Sequence, residues 1–501
     1  MQAYAELEAR FRRMLLLRSV DDILHWDAAA VMPSGSAAAR AEQLALLKVM
    51  EHELLADPAV AERLDEAEAE VDQLDDWQRA NLREMRRLWV NGAAVPSDLV
   101  DAFSRACSLC ERSWRRARPE GDFQVVAPLL EEVLRLVREV AAARIARPLG
   151  PDAPGNAYDA LLDEHDPGMR SATLDPLFER LASWLPGLLE RALEKQATSP
   201  APLALRGPFP AEAQRRLGLR LMARVGFDES RGRLDVSAHP FCGGTPDDVR
   251  ITTRYDEDDF ATGLLGVLHE SGHALYQRGL PEAWRYQPVG EPRGMGLHES
   301  QSLLIEMQVC RSRPFLEFAA PLIREAFGGS GEAFGADNLY ARATRVERGF
   351  IRVDADEVTY PAHVILRYRL EKAMVAGDLS VRDLPGAWNE GMKALLGLDV
   401  PDHRRGCLQD IHWFDGAFGY FPSYTIGAVA AAQLFQAACQ QVGDVEAGIA
   451  LGDLAPLIAW LREHVHGQGS RLSTPEIIER ATGRPLELGP YEAHLERRYA
   501  L

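Results

Sequence analysis

Val249-Arg-Ile-Thr-Thr-Arg-Tyr255 alternates with period two, whereas Phe260-Ala-Thr-Gly-Leu-Leu-Gly-Val-Leu-His-Glu-Ser-Gly-His-Ala-Leu-Tyr-Gln-Arg-Gly279 has moved to a helical period. The first run predicts a strand with Val249, Ile251, Thr253 and Tyr255 on one face and Arg250 and Thr252 on the other. Leu234–Ser237 is a second β-like run, and the intervening Cys242-Gly-Gly-Thr-Pro-Asp-Asp248 reads as a turn. The second run predicts a helix capped by Asp258 or Asp259, with Phe260, Leu264, Val267, Leu268 and Leu275 in phase and an end at Gly279 and Pro281. A two- or three-stranded sheet leading into one helix suits the wall of a cleft.

Outward from this point the chain is helical. Tyr4–Leu17, Ala37–Leu55, Val60–Val90, Leu99–Arg118 and Pro128–Ala146 carry helical spacing or strong helix formers. The acidic stretch Glu62–Asp76 reads as a solvated helix face. Breaks fall at Arg147–Gly155 and Ser199–Pro210, and Phe327–Gly335 reads as a flexible connector, because no strand leads into it and the Lys-Ser/Thr of a phosphate loop is missing. No repeat is present, and similar composition on both sides of each break predicts one mainly α body over residues 1–501. Its parts would be a helical region of about 1–230, a core of about 231–425 around the cleft, and a helical end of about 426–501.

Composition excludes several classes. With 47% apolar and 26% charged residues the chain is ordinary globular material. A net charge of −19, with no Lys/Arg cluster, argues against nucleic acid and anionic membranes as partners. The start of the chain carries early acids and no apolar core, unlike a signal peptide. Tyr424–Gln440, the best membrane candidate, is short and interrupted by Gln433 and Gln436. A cytoplasmic location is expected. Six cysteines cannot form a disulfide framework, and Cys107 and Cys110 read as buried apolar residues.

Chemistry concentrates in His269-Glu-Ser-Gly-His273. Histidines at i and i+4 share one helix face, so both imidazoles can reach one ion, and Glu270 at the edge of that face can take a proton from water. At this chain's His and Glu content, chance supplies only about 0.03 such motifs. A catalytic zinc needs a third protein ligand and an open position. His298 and Glu299 in Gly296-Leu-His-Glu-Ser-Gln-Ser302 are the candidates, and either could ligate. Glu299 is preferred because a His₂Glu set suits a peptidase zinc, which leaves His298 beside the site or against substrate.

These blocks, with His239-Pro-Phe241, Asp248-Val-Arg-Ile-Thr252, His298-Glu-Ser-Gln301, Ile351-Arg-Val-Asp-Ala-Asp356 and Gly406-Cys-Leu-Gln-Asp-Ile-His-Trp413, resemble in order those of the M32 metallocarboxypeptidases. Trp26-Asp27, Met32-Pro33 and Phe418–Tyr424 add to the likeness, which covers nearly the whole chain. The resemblance implies His269, His273 and Glu299 as metal ligands, Glu270 as catalytic acid/base, and Zn²⁺ with Co²⁺ as a substitute. It further implies a helical, saddle-shaped body with a long groove, a homodimer, and release of single C-terminal amino acids with broad tolerance but poor action on proline.

Recognition of a free C-terminal carboxylate calls for an Arg fork, and Arg352 and Arg250 are the candidates. The bland alternative is ion pairing, of Arg352 with Asp354 or Asp356 and of Arg250 with Asp248. Tyr420, Tyr424, His239 and His412 are candidate donors to the oxyanion, with a tyrosine of 420–424 favoured. Gln409 and Asp410 could position substrate or orient a ligand imidazole. His25, His52, His165, His403, His464, His466 and His494 are read as structural or surface residues. Rival readings are an oligopeptidase or endopeptidase using the same zinc chemistry, and a non-catalytic helical scaffold with a structural metal.

Overall fold

The alternation at 249–255 becomes the middle strand of a small sheet in the computed structural model, which describes residues 1–146 and 154–500. Strand β3 (Asp248–Thr253) pairs in parallel with β1 (Gly232–Val236) and antiparallel with β2 (Phe241–Thr245), in the order β1-β3-β2. Val249 and Ile251 are fully buried, as the pattern requires. The predicted turn is wrong in part. Phe241–Thr245 is a strand despite Gly243 and Gly244, and only Pro246 and Asp247 separate β2 from β3. Pairing to β3 along the whole run decides its conformation, which local glycine content cannot report.

All else in regular structure is helical, with twenty α-helices among the described residues. The helix carrying the two histidines, the motif helix, runs Phe260–Gly279, and Asp259 caps it by accepting the Ala261 N–H at 3.0 Å. Val60–Val90 is two helices and not one: Pro58–Ala69 ends in the acidic stretch, and Asp76–Ala94 begins with a reciprocal capping box between Asp75 and Gln78. Carboxylates near a helix start are stabilising, so this acidic run marks a new N-terminus as well as a solvated face. The helix expected from Pro128 begins earlier, at Phe123, capped by Asp122. Of the break at 147–155, residues 147–153 lie outside the described residues; Ser199–Pro210 does separate two helices. Within Phe327–Gly335, Glu332–Phe334 forms a short 3₁₀ turn whose Phe334 is buried, so this connector is anchored. Cys107 and Cys110 are buried, and burial pushes both thiols up to about 12, which suits inert apolar packing.

Helix Pro422–Val442 lies between two cores. Ile426 and Val429 pack into a cluster with Trp388, Phe414 and Phe421, while Ala431, Leu434 and Ala438 face another with Leu268, Leu304 and Ile458. Its Gln433 amide donates to Thr482 Oγ1 and the Pro485 carbonyl, so the polar interruption is satisfied inside the protein. No described helix is long and apolar enough to cross a membrane.

Helix Met295–Leu303 is held between the motif helix and Pro422–Val442, with glycine at both contacts. A Cβ at Gly272 would lie 2.5 Å from the Gln301 carbonyl oxygen and Ser302 Cα, and one at Gly427 would lie 2.8 Å from Glu299 Cβ. Buried Asp166 fixes the helix start, accepting from the Gly296 N–H at 2.7 Å and from Ser423 Oγ at 2.5 Å. Gly272→Ala meets backbone, which cannot move aside locally, so a loss of about 1–3 kcal/mol is expected. The urea midpoint should fall, and an unchanged midpoint would contradict the close approach.

Candidate active site

His269 and His273 stand one turn apart on the motif helix, ring centroids 5.0 Å apart and nearly perpendicular. Glu299 enters from Met295–Leu303: its Oε1 is 3.9 Å from His269 Nε2 and its Oε2 is 3.6 Å from His273 Nε2. One ligand atom from each residue lies within 4.8 Å of the others. The other ring nitrogens are occupied. His269 Nδ1 is 2.9 Å from Glu306 Oε2, and His273 Nδ1 is 2.6 Å from His298 Nδ1. Both Nε2 atoms therefore face the Glu299 carboxylate, which receives no hydrogen bond from the described residues. A largely buried carboxylate facing the Nε2 atoms of two imidazoles is a donor set for a divalent cation. His298 is turned aside, with its Nε2 3.2 Å from the Gln277 amide, so of the two third-ligand candidates only Glu299 presents itself.

The field here favours positive charge. Burial opposes charging of His269, yet the carboxylates of Glu299 and Glu306 outweigh it and hold the imidazole up to about 10. His273 is held well below its ordinary value by burial and by the neighbouring His298 and His269. Burial pushes the Glu270 carboxyl up to about 7, opposed by His269 and reinforced by Glu299 and Glu306. The Cys242 N–H of β2 bonds to that carboxylate, which places the sheet edge directly beside it. A carboxyl poised near neutrality suits proton transfer.

A second cluster faces the first. Arg352, buried on a 3₁₀ turn, donates from Nε (3.2 Å) and Nη2 (2.9 Å) to Asp410 Oδ1 and from Nη1 to the Tyr360 hydroxyl at 2.6 Å. Arg367 holds the other Asp410 oxygen through its Nε at 2.7 Å. The ion-pair partner of Arg352 is thus Asp410, whereas Asp356 caps backbone N–H groups of Val358 and Thr359. Two guanidiniums sharing one carboxylate leave a net positive charge. Arg352 lies over the Tyr424 ring at 5.0 Å, and the Tyr420 and Tyr424 hydroxyls bond to each other. Burial raises both phenols, and the nearby Glu299 charge adds to it.

Other expected residues are placed differently. Asp410 orients no ligand imidazole, because the two arginines take both its oxygens. The Gln409 amide is engaged by backbone, accepting from the Arg352 N–H at 2.9 Å and donating to the Phe350 carbonyl at 2.9 Å, so it shapes the turn that presents Arg352. Arg250 is chelated by Asp248 and stacked 4.2 Å from the Trp26 ring centroid, away from Arg352. His239 is exposed in the β1–β2 connection. His412 packs 4.4 Å from the Phe421 ring with its Nδ1 unpartnered, and burial holds it down to about 4. His165 lies edge-on to Tyr420 at 5.1 Å, while His466 is buried with its Nε2 3.0 Å from Gln301 Oε1.

The profile of the carboxypeptidase Taq (M32) metallopeptidase family matches residues 6–499. The chain belongs to the M32 metallocarboxypeptidases. It is 40% identical over 504 residues to thermostable carboxypeptidase 1 of Thermus thermophilus, covering 99% of this chain and 98% of that one. Among solved structures, Trypanosoma cruzi metallocarboxypeptidase 1 superposes with a TM-score of 0.97 at 41% identity, covering 100% and 99% of the two chains. The M32 carboxypeptidase of Deinococcus radiodurans R1 gives 0.93 at 35% identity, with 100% and 99% covered. The chain is accordingly a peptide hydrolase of the metallocarboxypeptidase class, and membership implies a divalent metal.

For an M32 metallocarboxypeptidase the residue that sequence reading missed is Glu306. It lies in the π-helical turn Leu304–Cys310, where its Oε2 meets His269 Nδ1 and its Oε1 accepts from Arg311 Nη2 at 2.7 Å. Burial opposes its ionisation, but Arg311 and His269 hold the carboxyl down to about 2. Its signal is faint: a lone acid within Leu303-Leu-Ile-Glu-Met-Gln-Val-Cys310, where burial obliges a charge to find a partner. Glu306→Gln should weaken metal binding by about 10- to 100-fold, read by chelator competition. Unchanged affinity would show that His269 needs no such support.

Proposed function

We propose that this protein is a zinc carboxypeptidase that releases single amino acids from peptide C-termini, with broad side-chain tolerance and poor action on proline. The observation that carries this reading is the convergence of His269, His273 and Glu299 beside Glu270, across from the positive Arg352–Arg367–Asp410 cluster. His269, His273 and Glu299 would hold the zinc ion, with cobalt as a substitute. When bound, it supplies Lewis-acid polarisation of the scissile carbonyl and acidification of water.

The chain's own groups do the rest. Glu270 takes the proton of the attacking water and delivers it to the departing amine. The Tyr424 phenol lies near both Glu299 and Arg352, with Tyr420 beside it, and from there a phenol can donate to the oxygen that gains negative charge. Arg352 receives the terminal carboxylate along its Nη1 edge, where the Tyr360 hydroxyl is its one partner. The His298 ring, 2.6 Å from His273 Nδ1, holds that imidazole with its Nε2 aimed at Glu299. Arg250 and His239, on the sheet side, are assigned to substrate farther from the cleaved bond, and His412 to the wall behind Tyr420. The reading includes a cytoplasmic homodimer that does not bind nucleic acid, and kinship with the thermostable carboxypeptidases supports peptides as its substrates.

The test is digestion of an N-blocked decapeptide followed by mass spectrometry. Stepwise loss from the C-terminus, arrested by chelator, is the expected result, and a C-terminally amidated copy should resist. Internal fragments from either peptide would replace this reading with an oligopeptidase.

A further inference from the structure

On the flank of Pro422–Val442, away from Glu270 and Arg352, lies a second cavity of about 280 Å³. That is close to the lower end, about 300 Å³, of small-molecule sites and suits a ligand no larger than a single metabolite. Its floor is polar. Gln308 is only 5% exposed and lines the cavity, and among the described residues its amide has no hydrogen-bond partner. His494, 7% exposed, also lines it; its Nε2 is bound 2.7 Å from Glu357 Oε1, while its Nδ1 has no partner among the described residues.

The rim carries both signs of charge. Among the described residues Arg497 makes no ion pair, and neither does Glu446; Asp444 caps the Ala447 N–H through one oxygen. All three line the cavity, together with Cys439. One wall is apolar, with Phe435 and Val445. A cation, two anions, an amide and an apolar wall in so small a space match a zwitterion bearing a hydrocarbon side chain. We propose that this cavity binds a free α-amino acid, with its carboxylate on Arg497, its ammonium group on Glu446 and Asp444, and its side chain against Phe435.

The chemistry is read from the lining alone; that such a ligand arises as the enzyme's own product rests on the carboxypeptidase reading. A path to the catalytic centre is present. Gln308 and Glu306 belong to the same π-helical turn, and Arg498 Nη1 donates to the Met307 carbonyl between them at 2.6 Å. Occupancy would therefore bear on the carboxylate that holds His269.

Calorimetric titration of the metal-loaded Arg352→Met enzyme with L-leucine tests the site, since that variant lacks the other amino-acid carboxylate anchor. One leucine per chain is expected, with affinity at least about tenfold weaker for isoamylamine, which lacks the carboxylate, and for N-acetyl-L-leucine, which lacks the ammonium group. Adding Arg497→Glu or Gln308→Leu should weaken leucine by a similar factor, while Arg497→Glu alone keeps normal peptide turnover. No leucine binding up to about 10 mM, or binding indifferent to both added variants, would overturn the proposal. Because binding is read directly, neither result depends on how peptides are cut.

Discussion

Replacing Glu270 by glutamine lowers turnover of an N-blocked peptide by about 10²–10⁴-fold while one metal ion per chain is retained. The amide is isosteric and still meets the Cys242 N–H with its oxygen, so the helix and the neighbouring imidazoles stay in place. What disappears is a group able to take a proton and return it. The donor atoms of His269, His273 and Glu299 do not include Glu270, so metal content should not fall. Stopped assays paired with metal analysis of the same sample check both halves. Near-normal turnover would remove Glu270 from the mechanism, and a metal-free variant would make it part of the binding site.

Arg352→Met is the second large effect. Truncating one partner of a buried, hydrogen-bonded charge pair costs about 2–5 kcal/mol, so kcat/KM on peptides with a free C-terminus should fall roughly 30- to 5,000-fold. The fold should survive, because Asp410 keeps Arg367 as its partner. Amidated peptides, which offer no carboxylate, should be cut equally poorly by both enzymes. Lysine should rescue little, since a point charge cannot reproduce a planar fork that reaches Asp410 and Tyr360 together. Equal losses on free and amidated peptides would assign Arg352 a purely structural role beside Asp410.

Which parts of this were legible in the sequence follows from the range of each interaction. His269 and His273 are four residues apart on one helix, so helical geometry alone places them together, and Glu299 follows after a Pro/Gly-rich return. The strand at 248–253 was legible because burial of alternate side chains leaves a period. The strand at 241–245 was not, because its glycine-rich composition imitates a turn and only the ladder to β3 fixes it. The break at Glu70–Asp75 was hidden for the opposite reason, since helix formers run straight through it and the capping box is visible only once the chain turns.

Around the site the same division holds. Arg352 was singled out by the chemistry that a C-terminal carboxylate demands, but its ion-pair partner was misread, because Asp354 and Asp356 are near in sequence while Asp410 is 58 positions away. Glu306 escaped because it sits among apolar residues on a π-helical turn whose register no periodicity predicts. His298 was left between two roles by sequence, and the contact between the two Nδ1 atoms places it behind His273.

One ion should sit between the two imidazoles and the carboxylate. A crystal of the purified enzyme measured on both sides of the zinc absorption edge shows whether it does. The expected result is a single anomalous peak per chain, about 2.0–2.1 Å from Nε2 of His269 and of His273 and about 2.0–2.2 Å from a Glu299 oxygen. A peak bound elsewhere, or ligated by His298 in place of Glu299, would contradict the account.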